Sequence, residues 1–138
     1  MPTKVPPKPL IAPAAPKSAE LEATLYHYRA VVTAVHDGDT CTVDIDLGLC
    51  MWVRGEKVRL HRINAPELSG EGKPEGQAAR EALRALVLGK AVVLQTFKDR
   101  REKYGRYLGE LWLEQEGAAA LNVNDALVQS GHARYQQY

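Results

Sequence analysis

The first half of the chain alternates between apolar and polar residues in a way that predicts β-strands. Three segments there are rich in β-branched and aromatic residues, as half-buried strands are. They are Tyr26–Val35, Cys41–Leu47 and Lys57–Ile63. Asp37-Gly38 predicts a tight turn after the first strand, and Arg54-Gly55-Glu56 predicts another turn before the third.

One segment in the second half has the periodicity of a helix instead. Within Glu75–Leu88, four apolar residues fall on one helical face, namely Ala79, Leu83, Leu86 and Val87. Gly89 stands where a glycine commonly ends a helix. We therefore predict a single amphipathic helix here that packs on the strands.

The remaining elements complete a small α+β domain. Ala91–Phe97 and Tyr107–Leu113 are predicted strands around a charged loop, and Asn122 or Asn124 can cap a last short helix that ends by Gly131. Five short strands with an intervening helix favour a closed five-stranded β-barrel of the OB-fold type with two or three packed helices. The barrel of that fold leaves a groove that suits oligonucleotides.

Composition divides the chain into an arm and a domain. Residues 1–22 contain six of the eight prolines, mixed with alanine and lysine. Such a segment cannot bury enough apolar surface to fold alone, which predicts a flexible arm over residues 1–22 and a domain over residues 23–138. The arm could instead dock onto a partner, and this alternative stays open.

Charge and hydropathy narrow the functional class only slightly. The formal net charge is +1, so any nucleic-acid partner has to be argued from local clusters. No apolar run is long enough to cross a membrane, and prolines stand where a signal peptide has its apolar segment. We expect a cytoplasmic protein with no membrane partner.

Cys41 and Cys50 are too few for a four-ligand zinc site, and two buried thiols are favoured over a disulfide.

The first cluster of chemical interest is Asp37-Gly38-Asp39-Thr40. Taken alone it is simply a turn, because Asp-Gly is a strong turn signal. Two carboxylates that flank one glycine would also supply hard oxygen ligands, which suit Ca²⁺ or Mg²⁺.

The second cluster joins Arg59 to Asn64-Ala65-Pro66-Glu67. Arg59 alone could point to solvent from an alternating strand, and Glu67 could be a solvated loop charge. Together they suit chemistry better, since Pro66 fixes the local backbone beside the glutamate. A held glutamate can activate water while an arginine neutralises charge on a phosphate.

The third cluster lies in the loop that follows Phe97 and ends in Lys103-Tyr104-Gly105-Arg106. A charged, solvated hairpin loop is the ordinary interpretation of such a run. However, Tyr104 offers a flat stacking surface between two basic residues, which is how single-stranded nucleic acid is bound. Gly105 allows the backbone to turn tightly beside a ligand.

The order and spacing of these motifs resemble the staphylococcal nuclease, or thermonuclease, family. The motifs are DGDT, VRLHRINAPE, a helix, KYGR and VNDALVQSGHA, and the resemblance extends over about Ala30–Arg134. It implies an OB-fold barrel with three helices. It also implies a Ca²⁺-dependent phosphodiesterase, an endonuclease that acts on DNA and RNA.

The resemblance also implies roles for individual residues. The catalytic set would be Arg59 and Arg106, which contact the phosphate, and Glu67 as general base. The metal set would be Asp39, Asn64, the Ala65 backbone carbonyl and, in the second shell, Asp37. The residues in contact with the bound nucleotide would be Lys103 and Tyr104.

The chain departs from the family pattern in three places. Asn64 stands where staphylococcal nuclease has a second metal-binding aspartate, so we expect Ca²⁺ to be held more weakly. Gln137 lies nearest the position of a second base-stacking aromatic residue, although Tyr135 and Tyr138 are close to it. The chain stops at Tyr138 without the long closing helix of that protein.

The rival interpretation is a catalytically weak or inactive OB-fold module that binds nucleic acid or a protein. Modules of that kind lose the arginines and the glutamate. Here Arg59, Glu67 and Arg106 are all present, which favours an enzyme. We expect it to work as a monomer on DNA or RNA.

Overall fold

The computed structural model describes residues 15–69 and 73–137, except for the side chains of residues 98–100. Its elements in chain order are α1 (Ser18–Glu22), β1 (His27–Asp37), β2 (Thr40–Gly48), β3 (Met51–Leu60), β4 (Ile63–Asn64), α2 (Lys73–Val87), β5 (Ala91–Arg101), β6 (Tyr107–Leu113), β7 (Leu121–Asn122), α3 (Val123–Gln129) and β8 (Arg134–Tyr135). In the described part of the chain, no helix is long and apolar enough to cross a membrane.

Five strands close into a barrel. The antiparallel order β3-β2-β1-β5-β6 is completed by a parallel pairing of β3 with β6, in which Val58 lies opposite Tyr107 and Leu60 opposite Gly109. This closure leaves neither β3 nor β6 as a free edge at that end. The predicted α+β class and the five-stranded OB-fold barrel are therefore confirmed.

The barrel interior is filled by alternate residues of the strands. The largest wholly buried side chains there include Leu60, Leu94 and Leu111. Helix α2 covers β1 with the buried residues Gly76, Ala79, Leu83 and Val87, while Leu86 is only partly buried. The helix ends as predicted at Gly89, whose φ is +74° and whose N–H donates to the Val32 carbonyl at 2.8 Å. This bond fixes the end of α2 to the barrel wall.

The expected turn at Arg54–Glu56 is wrong, because β3 runs through it without a break. Gly55 adopts a φ of +71° at a bulge, and its N–H donates to Asp44 Oδ1 at 2.9 Å. Arg54 Nη1 donates to the other oxygen of Asp44 at 3.1 Å. A bulge inserts an extra residue without ending the strand, so a glycine between charged residues need not mark a turn. The hairpin reverses instead at Leu49-Cys50.

The two cysteines lie in different environments, so the expected pair of buried thiols is half wrong. Cys41 is buried in the barrel, and this burial raises the pKa of its thiol to about 12. Cys50 is exposed at the hairpin tip, and both thiols are free.

The proposed arm is described only in part. Residues 1–14 lie outside the described residues, so their predicted flexibility stays a prediction. Residues 18–22 form α1 rather than an extended segment, and none of their side chains is buried. With α2 and α3, this helix ahead of the barrel makes three helices in the described part of the chain.

The C-terminal segment folds back onto the end of β3. Asn122 is the cap of α3, since its side chain accepts from Asp125 N–H at 2.9 Å. Asn124 is wholly buried and donates to the carbonyls of His61 and Gly109 at 2.9 and 3.0 Å. Strand β8 then pairs with β4, with Arg134 directly opposite Asn64. The segment after β3 is thus held by α3 and by β8.

Candidate active site

A cleft of about 780 Å³ opens where the β1–β2 turn, the segment after β3 and the β5–β6 loop meet. It brings together every residue that the sequence predicted for a site. Those residues are Asp37, Asp39, Arg59, Asn64, Ala65, Glu67, Lys103, Tyr104 and Arg106. The structure therefore places three motifs that are distant in sequence around one space.

Because Gly38 has no side chain, the acidic turn Asp37–Thr40 can pack closely against Ala79 of α2 and against Ala65. A Cβ atom on Gly38 would lie 2.6 Å from the Ala79 Cβ of α2 and 2.7 Å from the Ala65 Cβ. Any larger residue would push the turn away from both. Within the turn, Asp39 N–H donates to Asp37 Oδ1 at 3.1 Å, which fixes the two acids relative to each other.

Asp39 is a buried carboxyl group surrounded by donors. Its Oδ2 accepts from Ala65 N–H at 2.8 Å and lies 3.2 Å from Arg59 Nη2, while its Oδ1 accepts from the Thr40 hydroxyl at 3.2 Å. Burial, with a smaller contribution from the Asp37 carboxyl, raises the pKa of Asp39 to about 6 despite these donors. A nearby positive charge would favour its ionised form.

Arg59 does not point to solvent, which was the simplest interpretation of an arginine in an alternating strand. Only 8% of the residue is exposed. Its Nη1 donates to the carbonyls of Leu60 and Ile63 at 2.7 and 3.0 Å, and its Nη2 donates to Asn64 Oδ1 at 3.2 Å. The carbonyls after β3 thus fix the plane of the guanidinium, with Nη2 next to Asp39.

Glu67 has a fixed backbone and an exposed side chain. A Cβ atom on Gly76 of α2 would lie only 2.1 Å from the Glu67 carbonyl oxygen, so this helix meets the Glu67 backbone at a glycine. The Glu67 side chain itself lines the cleft and is exposed. This combination places a solvated carboxylate at a defined point of the rim.

Glu102 holds together the loop between β5 and β6, which also lines the cleft. Its Oε1 accepts from the backbone N–H groups of Tyr104 and Arg106 at 2.9 and 3.0 Å and from Arg106 Nε at 2.9 Å. Its Oε2 accepts from Arg106 Nη2, also at 2.9 Å. The Arg106 guanidinium lowers the pKa of Glu102 to about 2, so this carboxylate stays ionised at neutral pH.

The loop presents an aromatic ring between two cations. Tyr104 is 70% exposed. Lys103 Nζ lies 5.0 Å and Arg106 Cζ 5.3 Å from the centre of its ring. Arg106 Nη1 donates to the Thr40 hydroxyl at 3.4 Å, which directs this arginine towards the acidic turn.

The oxygen atoms beside Asp39 could hold a hard cation. The candidates belong to four residues that line the cleft, and they are the carboxylates of Asp37 and Asp39, the Asn64 amide oxygen and the Ala65 carbonyl. No cluster of three or more His, Cys, Asp or Glu side chains suited to a metal occurs among the described residues. The donor types fit Ca²⁺, whose ligands include carbonyl as well as carboxylate oxygens, but with only two negative charges.

Sequence reasoning assigned no role to three further residues of the site. Thr40 lies between the two arginines, because it accepts from Arg106 and donates to Asp39. Glu102 holds Arg106, and its position four residues before that arginine was the available signal. Gln136 lines the cleft because its N–H donates to the Arg62 carbonyl at 2.8 Å, a long-range contact with no local signal.

A comparison with protein families gives one match. The family model described as "Staphylococcal nuclease homologue" matches residues 57–138, which is more than half of the chain. The matched region contains Arg59, Asn64, Glu67 and Arg106, whereas the acidic turn lies before it. No curated protein matches the chain.

Proposed function

The chain belongs to the staphylococcal nuclease family, and we propose that it is a Ca²⁺-dependent nuclease that hydrolyses phosphodiester bonds of DNA, RNA or both. One observation carries the proposal. The guanidinium of Arg59 contacts Asp39, that of Arg106 contacts Thr40, and an exposed glutamate lines the same cleft. Such a set of groups can stabilise the charge that develops during phosphodiester hydrolysis and activate water.

The two arginines suit the charge that develops on the phosphate. Attack on a phosphodiester concentrates negative charge on its non-bridging oxygens, and planar guanidinium groups bind such oxygens with two parallel hydrogen bonds. In Arg59 the Nη1 contacts are short, while both Nη2 contacts are 3.2 Å long. In Arg106 the Nε and Nη2 atoms bind Glu102, and Nη1 has a long contact. Both arginines line the cleft, and hydrogen bonds to carbonyl or carboxylate oxygens hold each guanidinium in place.

Glu67 is the proposed general base. A carboxylate at the cleft rim can accept a proton from a water molecule as that water attacks phosphorus. Its exposure keeps water within reach, and the close contact of its backbone with Gly76 limits where the carboxylate can lie. Glu67 differs in this respect from Asp39, which is buried and surrounded by donors.

Ca²⁺ is the proposed cofactor, with Asp39, Asn64 and the Ala65 carbonyl as the residues that would hold it and Asp37 in the second shell. When bound, the ion would supply a further positive charge against the phosphate. Burial raises the pKa of Asp39 to about 6, and a bound cation would favour its ionised form. The neutral Asn64 amide makes the affinity modest.

Lys103 and Tyr104 are the proposed contacts to the nucleotide next to the cleaved bond. An exposed ring can stack on a base of any identity, and stacking of this kind contributes about 1–3 kcal/mol per base. The Lys103 ammonium group beside the ring supplies a phosphate contact. This arrangement supports binding of single strands without strict sequence preference.

The test is to incubate purified protein with single- and double-stranded DNA and RNA in the presence of Ca²⁺, Mg²⁺ or EDTA. We expect cleavage with Ca²⁺ and none with EDTA. A Glu67→Gln protein prepared in the same way controls for contaminating nuclease. Absence of cleavage with every metal would contradict the enzymatic proposal.

The second candidate is a nucleic-acid-binding module without catalysis. It is favoured by Asn64, which leaves the proposed metal set one carboxylate short of staphylococcal nuclease. A labelled oligonucleotide that binds in EDTA and stays intact in Ca²⁺ would support it. Under that outcome, Arg59 and Arg106 would contribute to the binding of nucleic acid and not to catalysis.

A further inference from the structure

A second cavity of about 400 Å³ adjoins the cleft. Its lining residues are Asn64, Pro66, Gly131, His132, Ala133 and Arg134. Asn64 and Pro66 also line the main cleft, so the two cavities meet at one short segment. A ligand that is longer than the cleft could continue into the second cavity.

Arg134 is the main charged group of this cavity and stands close to the site. It lies directly opposite Asn64 in the antiparallel pairing of β4 with β8. Residues paired in this way project on the same side, with their Cβ atoms about 5 Å apart. The Arg134 side chain therefore starts on the same side as the amide that contacts Arg59.

Arg134 also differs from most other arginines in its lack of a carboxylate partner. Within the described part of the chain, an acidic side chain pairs with each of Arg29, Arg54, Arg59, Arg62, Arg80, Arg84 and Arg106. No described carboxylate pairs with Arg134, and the residue is exposed. Its neighbour across the ribbon is the neutral Asn64 rather than an acid. The cavity thus offers an uncompensated positive charge to an anion.

We propose that this cavity is a second phosphate subsite, in which Arg134 and His132 bind the backbone of a nucleic-acid strand that continues beyond the cleft. The proposal rests on the proposed nuclease function, because it takes the ligand of the cleft to be such a strand. The strand runs from Tyr104 through the cleft, past Asn64 and Pro66, to Arg134. The preferred substrates are therefore strands of several nucleotides rather than dinucleotides.

The experiment compares wild-type protein, Arg134→Ala and Arg134→Lys on two substrates with Ca²⁺, a dinucleotide and a single strand of about twelve nucleotides. Arg84→Ala is the matched control, because Arg84 is a partly exposed arginine on α2 that lines neither cavity. We expect Arg134→Ala to raise KM for the long strand about five-fold and to leave kcat/KM on the dinucleotide unchanged. Arg134→Lys should recover most of the loss, since it keeps the charge.

A binding measurement in EDTA separates this proposal from the proposed catalysis. For the long strand, Arg134→Ala should weaken binding and reduce the slope of log affinity against log salt by about 0.7, as expected for one lost phosphate contact on a single strand. An equal effect on both substrates, no effect on the long strand, or an equal effect of Arg84→Ala would overturn the subsite. If the wild-type protein binds but never cleaves, the catalytic proposal fails while the salt slope still decides on the subsite.

Discussion

Arg59 and Arg62 lie three residues apart, and each pairs with a buried carboxylate, yet their surroundings differ. Arg62 binds Glu110 through two hydrogen bonds, from Nε at 3.1 Å and from Nη2 at 2.6 Å, and its Nη2 also donates to Asp125 at 3.0 Å. The described contacts of Arg59 join it to the Asp39 carboxylate and to carbonyl and amide oxygens.

The Arg62 network has more negative than positive charge. Two carboxylates surround one guanidinium, which raises the pKa of Arg62 further above its usual value. Asn122 donates to Glu110 at 3.1 Å, and the Tyr135 hydroxyl donates to Asp125 at 2.9 Å. The cation is fully compensated, and the network ties the segment after β3 to β6, α3 and β8.

The Arg59 network lines the cleft, and the carboxylate described beside its guanidinium is Asp39. A phosphate that enters the cleft would meet this guanidinium and that of Arg106. The comparison indicates that the role of an arginine–carboxylate pair depends on two properties. They are the balance of positive and negative charge around the pair and whether a ligand can reach it through a cleft.

The largest expected effect is that of Glu67→Gln, which removes the proposed base but no packing. We expect kcat to fall at least about 100-fold, the usual contribution of general base catalysis, with a much smaller change in KM. The melting temperature should not change, because the side chain is exposed. Steady-state cleavage assays and thermal melts measure the two quantities. If Glu67→Gln retained full metal-dependent cleavage, the base would have to be another group.

The next effect comes from replacing each arginine of the pair with lysine. Arg59→Lys keeps the charge but loses the planar fork, and we expect kcat to fall about 100-fold, as for the loss of one oxyanion donor. Arg62→Lys should leave the turnover of the folded protein unchanged and lower its melting temperature. Assays at a temperature where both variants are folded separate these outcomes. Equal losses of turnover in the two variants would remove the distinction between the networks.

Sequence patterns predicted the strands of the barrel well, because each strand is specified by residues that are close together in the chain. Alternation along β1 and β2 sets which residues face the interior, and the Asp37-Gly38 turn and the end of α2 just before Gly89 depend on neighbouring residues. The turn predicted at Gly55 failed because a bulge uses the same residue type, and only the partner Asp44 on β2 distinguishes them.

For the site, the sequence predicted the motifs that contribute residues but not the contacts that join them. The resemblance placed Asp39, Arg59, Glu67 and Arg106 around one ligand, and the structure brings them to one cleft. Local patterns could not show that Arg59 is buried, because two of its partners are backbone carbonyls at the end of the strand and just after it. They could not show the link through Thr40 or the approach of Arg134 to Asn64 either, since both depend on barrel closure and strand pairing.

A third change tests the compensated network. Glu110→Gln keeps the shape of a side chain that is 6% exposed but removes the charge that binds Arg62. The free energy of unfolding should decrease by about 2 kcal/mol, typical of hydrogen bonds to a charged group. Urea denaturation measures the loss, with Glu116→Gln on the exposed β6–β7 loop as control. A stability equal to that of the control would mean that the network does not hold the segment after β3.

The smallest expected effect, and the sharpest test of the comparison, is that of Asn64→Asp. This change adds a second carboxylate to the one described beside Arg59, Asp39. The added charge should lower the Ca²⁺ concentration for half-maximal activity several-fold, because ligand charge tunes Ca²⁺ affinity. The same charge also compensates Arg59, so activity at saturating Ca²⁺ should rise little or fall. Titration of activity with Ca²⁺ for both proteins separates affinity from turnover. An equal or lower Ca²⁺ requirement in the natural protein would show that Asn64 does not limit the metal site, and the difference between the two arginines would then lie in their access to the cleft alone.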